Sequence, residues 1–200
     1  MPFSTDSLLA LITFALATSW SPGPNNFMLA SSGATFGFWR TIPHVLGVVI
    51  GFPIMLFIVT LGLGEVFRTQ PAVRDVVVWV GLVVMLYLAL RIATQRVGIA
   101  RDAARPLGFL TVSAFQWVNP KAWVMSIGVA ATFASGLAPT REAAATALVF
   151  VVSGSTSASG WAAAGAGLQR ILGHGMRLRV FNVTMGLLLA ASAVWMVLDR

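Results

Sequence analysis

The chain has 200 residues, 58% hydrophobic and only 10% charged, with a mean hydropathy of +0.86 and a formal net charge of +7. A soluble domain carries roughly a quarter of its residues as charges, and the apolar runs here reach about 20 residues, enough to cross a bilayer as helices. A soluble globular domain is therefore excluded, and continuous rather than alternating runs exclude a membrane β-barrel.

The absence of cysteine removes disulfides, thiolate metal sites and cysteine nucleophiles. The basic surplus does not point to nucleic acid, because the arginines lie in short loops between apolar runs, where they set orientation. The class is an all-α polytopic membrane protein with one transmembrane domain over residues 1–200.

Six transmembrane helices are expected. The first covers about 7–36 and is interrupted at SPGPNN, residues 21–26. Its beginning imitates a signal peptide, with an apolar run from Leu8 and Ala15-x-Ala17 as a mock cleavage site. A signal peptide needs a basic leader, however, and MPFSTDS contains only the acidic Asp6, so the segment reads as mature structure. The second span is expected over about 42–63 and the third over about 73–93. The fourth covers about 107–134 and is interrupted at Asn119-Pro120-Lys121. The fifth is expected over about 143–168 and the sixth over about 180–198.

The connections after spans 1, 3 and 5 carry Arg40, Arg91, Arg96, Arg101, Arg105, Arg170, Arg177 and Arg179. The other face carries Arg68, Arg74, Arg141 and Arg200. The excess of positive charge predicts that the first face is cytoplasmic and that both termini lie outside. The two interruptions fall roughly 96 residues apart, and each is followed by two plain spans. Three spans per half is an odd number, so pseudo-repeats at about 1–93 and 107–200 would have opposite orientation. This inverted 3+3 repeat with broken first and fourth helices is a common build of secondary transporters.

The interruptions have the chemistry of helix starts. Asn119 suits an N-cap and Pro120 the first helical position, while Ser21 or Gly23 can cap a helix opened by Pro22 or Pro24. A helix start has unpaired N–H groups and partial positive charge. Inside a bilayer these groups must be buried in protein or line a wet cavity, and two facing starts suit a carboxylate. Lys121 is the only lysine, about 14 residues into its span and so ~20 Å deep at 1.5 Å per residue. The bland alternative is a later start to span 4, with Lys121 snorkelling to the surface.

The acidic residues Asp6, Glu65, Asp75, Asp102, Glu142 and Asp199 all fall in loops or at span ends. A cation site, a metal site and a relay through a buried carboxylate are therefore not expected. Asn25, Asn26, Gln116 and Asn119 surround the breaks with amides, which either bind a zwitterion or satisfy freed backbone. The candidate substrate-binding set is Pro24, Asn25, Asn26, Gln116, Asn119, Pro120 and Lys121. Lys121 and His44 are the candidate proton-coupling groups, although a histidine at the loop edge of span 2 reads first as structural.

Gly33, Gly37, Gly47 and Gly51 read as close-packing positions. SGSTSASG, 153–160, puts small hydroxyl residues through span 5, for packing first and a polar path second.

These motifs resemble the LysE/RhtB family of amino-acid exporters over nearly the whole length. The resemblance rests on PGPN (Pro22 to Asn25), the glycine region Gly33 to Gly51, FQWVNPKAW (Phe115 to Trp123) and Phe181-Asn182. The doubled asparagine and GFWR look most like the branch that includes cysteine and O-acetylserine exporters. The resemblance implies a bacterial inner-membrane exporter of amino acids or close derivatives, driven by the proton gradient, with no cofactor.

Many relatives carry a polar or acidic residue where Phe52 and Pro53 stand here. That argues against coupling through a carboxylate there and against a basic substrate. A channel-like pore would use the same cavity and remains the alternative, as does a homo-oligomeric assembly. An integral-membrane enzyme is the weaker rival, since no paired carboxylates, HxxxH motif or cysteine is present.

Overall fold

A computed structural model describes residues 3–95, 105–173 and 175–198. Arg96, Arg101 and Arg200 of the charge count, with Asp102 and Asp199, lie outside the described residues. Among the described residues every regular element is helical: α1 (Thr5–Trp20), α2 (Pro24–Phe36), α3 (Phe38–Ile58), α4 (Gly64–Thr69), α5 (Pro71–Ala93), α6 (Phe109–Phe115), α7 (Pro120–Phe133), α8 (Pro139–Leu172) and α9 (Met176–Leu198).

Proline sets four of the starts. Pro24, Pro71, Pro120 and Pro139 each open a helix, where the missing N–H costs nothing. The residue before each is non-helical, as the proline ring requires: Gly23, Gln70, Asn119 and Ala138. Pro43 and Pro53 sit inside α3, which nonetheless runs on. It continues through a wide π turn, Val59–Leu63, into α4, with Gly62 taking a φ of 141° that favours glycine.

Four helical stretches are long and apolar enough to cross a membrane: Phe38–Val66, Pro71–Ala93, Pro139–Leu172 and Met176–Trp195. The remaining apolar helices, Thr5–Trp20 and Phe109–Val118, are shorter. The chain between α1 and α2 is Ser21 to Gly23. Between α6 and α7 lie a single 3₁₀ turn, Gln116–Val118, and the extended Asn119. The helix expected over 143–168 is longer, 34 residues from Pro139 to Leu172. The buried Glu142 in its first turn accepts from Ser135 Oγ and from the Gly136 N–H (3.1 Å), which fixes its entry.

The centre of the molecule is α2, where every residue from Asn26 to Phe36 is buried. It packs mainly against α8, and also against α9, α3 and α5. Small residues make this crossing. A Cβ on Gly33 would collide with the Ala162 carbonyl, and one on Gly165 with the Ala30 carbonyl. At the α3–α6 crossing, a Cβ on Gly47 would lie 2.8 Å from Phe109 O, and one on Gly51 2.6 Å from Ser113 Cα. Helices that lack a hydrophobic force between them in lipid associate through such close approach. Gly37 departs from the packing role expected of it: it forms the turn between α2 and α3, with φ 82°.

Three apolar clusters surround α2 and the joints, centred on Phe52, Met55 and Phe150, on Met85, Leu88 and Leu189, and on Leu29, Val49 and Ala162. Outward faces remain apolar, with Val76, Val83, Leu90, Leu148 and Leu187 more than half exposed, as a lipid-facing belt requires. One end of the bundle gathers the α2–α3 turn, the end of α5 and the start of α9. Gln169 in α8 approaches Gly37, Thr35 bonds Gln95, and Asn182 bonds Thr35.

Candidate functional site

The two joints lie against each other. Lys121, the second residue of α7, reaches across to the end of α1. Its Nζ donates to Ser21 O (2.8 Å), Ser21 Oγ (2.8 Å) and Pro22 O (3.4 Å). The α1–α2 joint must be bare to admit it: a Cβ on Gly23 would lie 2.9 Å from Lys121 Cδ. Gly23 has extended backbone that any residue adopts, so the lysine, not the backbone, explains the glycine. Lys121 is half-buried and does not snorkel to a distant surface.

The amides tie the joints together. Asn25 Nδ2 donates to Gln116 Oε1 (2.9 Å), and Gln116 Nε2 returns a bond to Asn25 Oδ1 (3.2 Å) and makes another to Val112 O (2.9 Å). Asn26 Nδ2 donates to Ser19 O (2.9 Å) and Ser21 O (2.8 Å), two carbonyls at the end of α1. Asn119 Oδ1 accepts from Lys121 N (3.1 Å), while Asn119 O accepts from Ala122 N (3.0 Å).

The two helix starts therefore differ in how they are capped. Asn119 caps α7, and Pro120 has no N–H to offer. Gly23 has no side chain to cap α2, whose Asn25 and Asn26 N–H groups the helix cannot pair itself. One joint supplies bare N–H groups and the other an ammonium.

These groups border a cavity of about 50 Å³, lined by Ser19, Gly23, Asn25, Asn26, Asn119 and Lys121 on one side and by apolar side chains on the other. Phe52 closes one wall, packed edge-on against Phe150 with ring centroids 5.4 Å apart. Ser19, which sequence reasoning did not single out, and Ser157 of the 153–160 stretch complete it. Ser157 Oγ donates to Ser19 O (2.7 Å), and the Ser19 and Ser153 hydroxyls meet at 3.2 Å. SGSTSASG thus both packs and lines: Ser157, Gly154 and Ala158 face the cavity, while Gly160 accommodates the Trp20 ring. On its other side Lys121 borders an apolar groove of about 1090 Å³ between α5, α7 and α9, with Trp195 and Arg74 along it.

His44 does not join this constellation. It lies inside α3 and is fully buried, not at a loop edge, and lines a separate small cavity. No carboxylate lines the central cavity, and among the described residues no cluster of acidic and histidine side chains could hold a metal.

A bundle of apolar helices with amide, hydroxyl and ammonium groups gathered at two helix joints fits a membrane transporter. Comparison with known proteins agrees. The chain belongs to the LysE type translocator family, whose family model matches residues 16–200. Two cysteine/O-acetylserine efflux proteins, from Salmonella paratyphi A and Klebsiella pneumoniae, are each 29% identical to it, over 94% and 95% of this chain and 95% and 96% of their own lengths. The cysteine/O-acetylserine efflux protein of Escherichia coli K12 is 28% identical over 94% of this chain and 95% of its own. No solved structure matches the chain.

Proposed function

We propose that the protein exports small neutral amino acids or their derivatives, of the cysteine and O-acetylserine kind, across the bacterial inner membrane in exchange for protons. The observation that carries this reading is the Lys121 ammonium held at the α1–α2 joint by neutral oxygens of Ser21 and Pro22, with no carboxylate beside it. A substrate carboxylate is the partner such a cation lacks. It would draw Lys121 away from Ser21 and take the free N–H groups of Asn25 and Asn26. Asn25–Gln116, Asn26 and Asn119 hold the joints in shape. Ser19 and Ser157, on the cavity wall, face the substrate's polar side chain.

In this reading α1–α2 and α6–α7 are the broken first and fourth spans of an inverted 3+3 repeat. Its other spans are α3–α4, α5, α8 and α9, and the arginine-rich end is cytoplasmic. A cavity of about 50 Å³ holds a few water-sized groups but not a whole amino acid. The conformation is closed, and the two joints separate to admit substrate. Lys121 alternates between Ser21, substrate and proton release, which couples export to the proton gradient; His44 is the second candidate for that coupling.

The test is transport by purified protein in liposomes loaded with labelled O-acetyl-L-serine or L-cysteine. Efflux that saturates with internal concentration and accelerates when the outside is acidified is the expected result. Flux that rises linearly would instead mark a channel, and flux indifferent to the pH gradient would remove proton coupling.

A further inference from the structure

The second cavity, at the arginine-rich end, has chemistry that the central site does not use. It is lined by Ser31, Ser32, His44, Arg91, Gln95 and Arg105, with apolar side chains filling the rest. His44 is fully buried there, and neither ring nitrogen has a hydrogen-bond partner. Buried polar side chains are nearly always paired, so two orphaned nitrogens on a cavity wall mark a missing partner.

The neighbouring side chains do not supply it: their hydrogen bonds run elsewhere. Ser32 is bonded to Thr41 (3.1 Å), and Thr41 to Gly37 O (2.9 Å). Ser31 Oγ donates to Asn182 Oδ1 (3.0 Å), Asn182 Nδ2 to Thr35 Oγ1 (3.0 Å), and Thr35 Oγ1 to Gln95 Oε1 (3.0 Å). That chain gives Asn182 Oδ1 and Gln95 Oε1 a donor each and leaves the Gln95 amide N–H groups to be given. Arg91 and Arg105 stand exposed at the rim, and no carboxylate lines the cavity. Two guanidiniums, a primary amide and an imidazole N–H together ask for an anion, and guanidinium matches a carboxylate with paired bonds.

We propose that His44, Gln95, Arg91 and Arg105 form an inner subsite that takes the substrate's carboxylate at the arginine-rich end, before it reaches Lys121. The subsite rests on the export reading for its role, but its occupancy is measurable separately. Its present volume of about 20 Å³ admits one water-sized group, the size of a single carboxylate oxygen. The arginines at the rim therefore swing with the carboxylate as it enters. Ser31, Ser32 and Thr35 lie on α2, the helix whose start borders the central cavity, so α2 links the two sites.

The experiment is ¹⁵N-histidine NMR of the full chain in detergent. The chain has two histidines, His44 and His174, and His44→Gln assigns the signal. Titration with O-acetyl-L-serine is compared with its methyl ester, which lacks the carboxylate. The expected result is a saturable shift of the His44 ring nitrogens with the acid and none with the ester. The shift persists in Lys121→Ala, and Arg91→Gln weakens it by about tenfold or more, the worth of a charge-assisted bond.

An unmoved His44 signal at concentrations that saturate transport, or an equal shift with the ester, overturns the subsite. If His44 stays unmoved while Lys121→Ala abolishes efflux, the inner subsite falls and the central site stands. If His44 shifts and Lys121→Ala leaves efflux intact, the reverse holds.

Discussion

At the residue scale, function is concentrated in a lysine that lies over a glycine. Gly23→Ala would put a methyl 2.9 Å from Lys121 Cδ, in backbone any residue tolerates. The lysine stem must move, and Lys121 Nζ leaves Ser21. We expect efflux to fall by about tenfold or more, since a misplacement near 1 Å is enough for that, with thermal stability nearly unchanged; wild-type flux would show that the Lys121–Ser21 contact is incidental.

The Asn25–Gln116 pair makes a different prediction. Gln116→Ala leaves the Asn25 amide unpaired and Asn25→Ala leaves Gln116 Oε1 without its donor, and each is expected to cost about 1–3 kcal/mol in denaturation. The double variant should lose less than the sum of the two, and strict additivity would deny the coupling.

Lys121 and the amides were legible because their types are rare or costly in a bilayer. Ser19 was not, because serine is unremarkable in a helix, and the 153–160 stretch was legible only as a whole, not by which of its hydroxyls matter. Only the way α1 crosses α8 decides which hydroxyls face inward. His44 was misplaced because the adjacent Pro43 reads as a helix boundary, yet α3 begins at Phe38 and carries the proline within it.

At the element scale, proline chemistry made two helix starts readable, at Pro24 and Pro120, whereas Pro71 and Pro139 open their helices a few residues before the expected 73 and 143. The π turn after Ile58 had no such signal, since its cause is the backbone of Gly62 rather than a pattern. The glycine positions were recognisable as a group but not by role. Gly33 and Gly47 are crossing points, whereas Gly37 is a turn. Only tertiary contact separates these roles.

The contrast is testable. Gly33→Ala drives a methyl into the Ala162 carbonyl and should destabilise the fold by about 1–3 kcal/mol, as overpacking does. Gly167→Ala, also in a helix but with open space around it, should be neutral or gain up to about 1 kcal/mol from helix propensity. Denaturation curves in mixed micelles would measure both. Equal effects would mean that the α2–α8 crossing is looser than described.

At the scale of the whole molecule, the membrane class and the length of α5 could be read directly, because bilayer thickness dictates them. The contact of the two joints could not, since nothing local in either break says that Lys121 reaches Ser21, 100 positions away. The proposed orientation has a clean test in a chain without cysteine. Leu137, in the α7–α8 loop, and Trp39, beside the α2–α3 turn, are 92% and 83% exposed. Leu137→Cys should react with a membrane-impermeant maleimide in intact cells, and Trp39→Cys only after permeabilisation; the opposite pattern would invert the topology.

The central claim is that a substrate carboxylate meets Lys121. Its most direct test is efflux of labelled neutral amino acids and O-acetyl-L-serine from preloaded cells expressing wild type, Lys121→Ala or an empty vector. Wild type should speed the loss of one or a few of these substrates, and Lys121→Ala should match the empty vector at equal membrane abundance. Efflux by Lys121→Ala equal to wild type would contradict the account at its core.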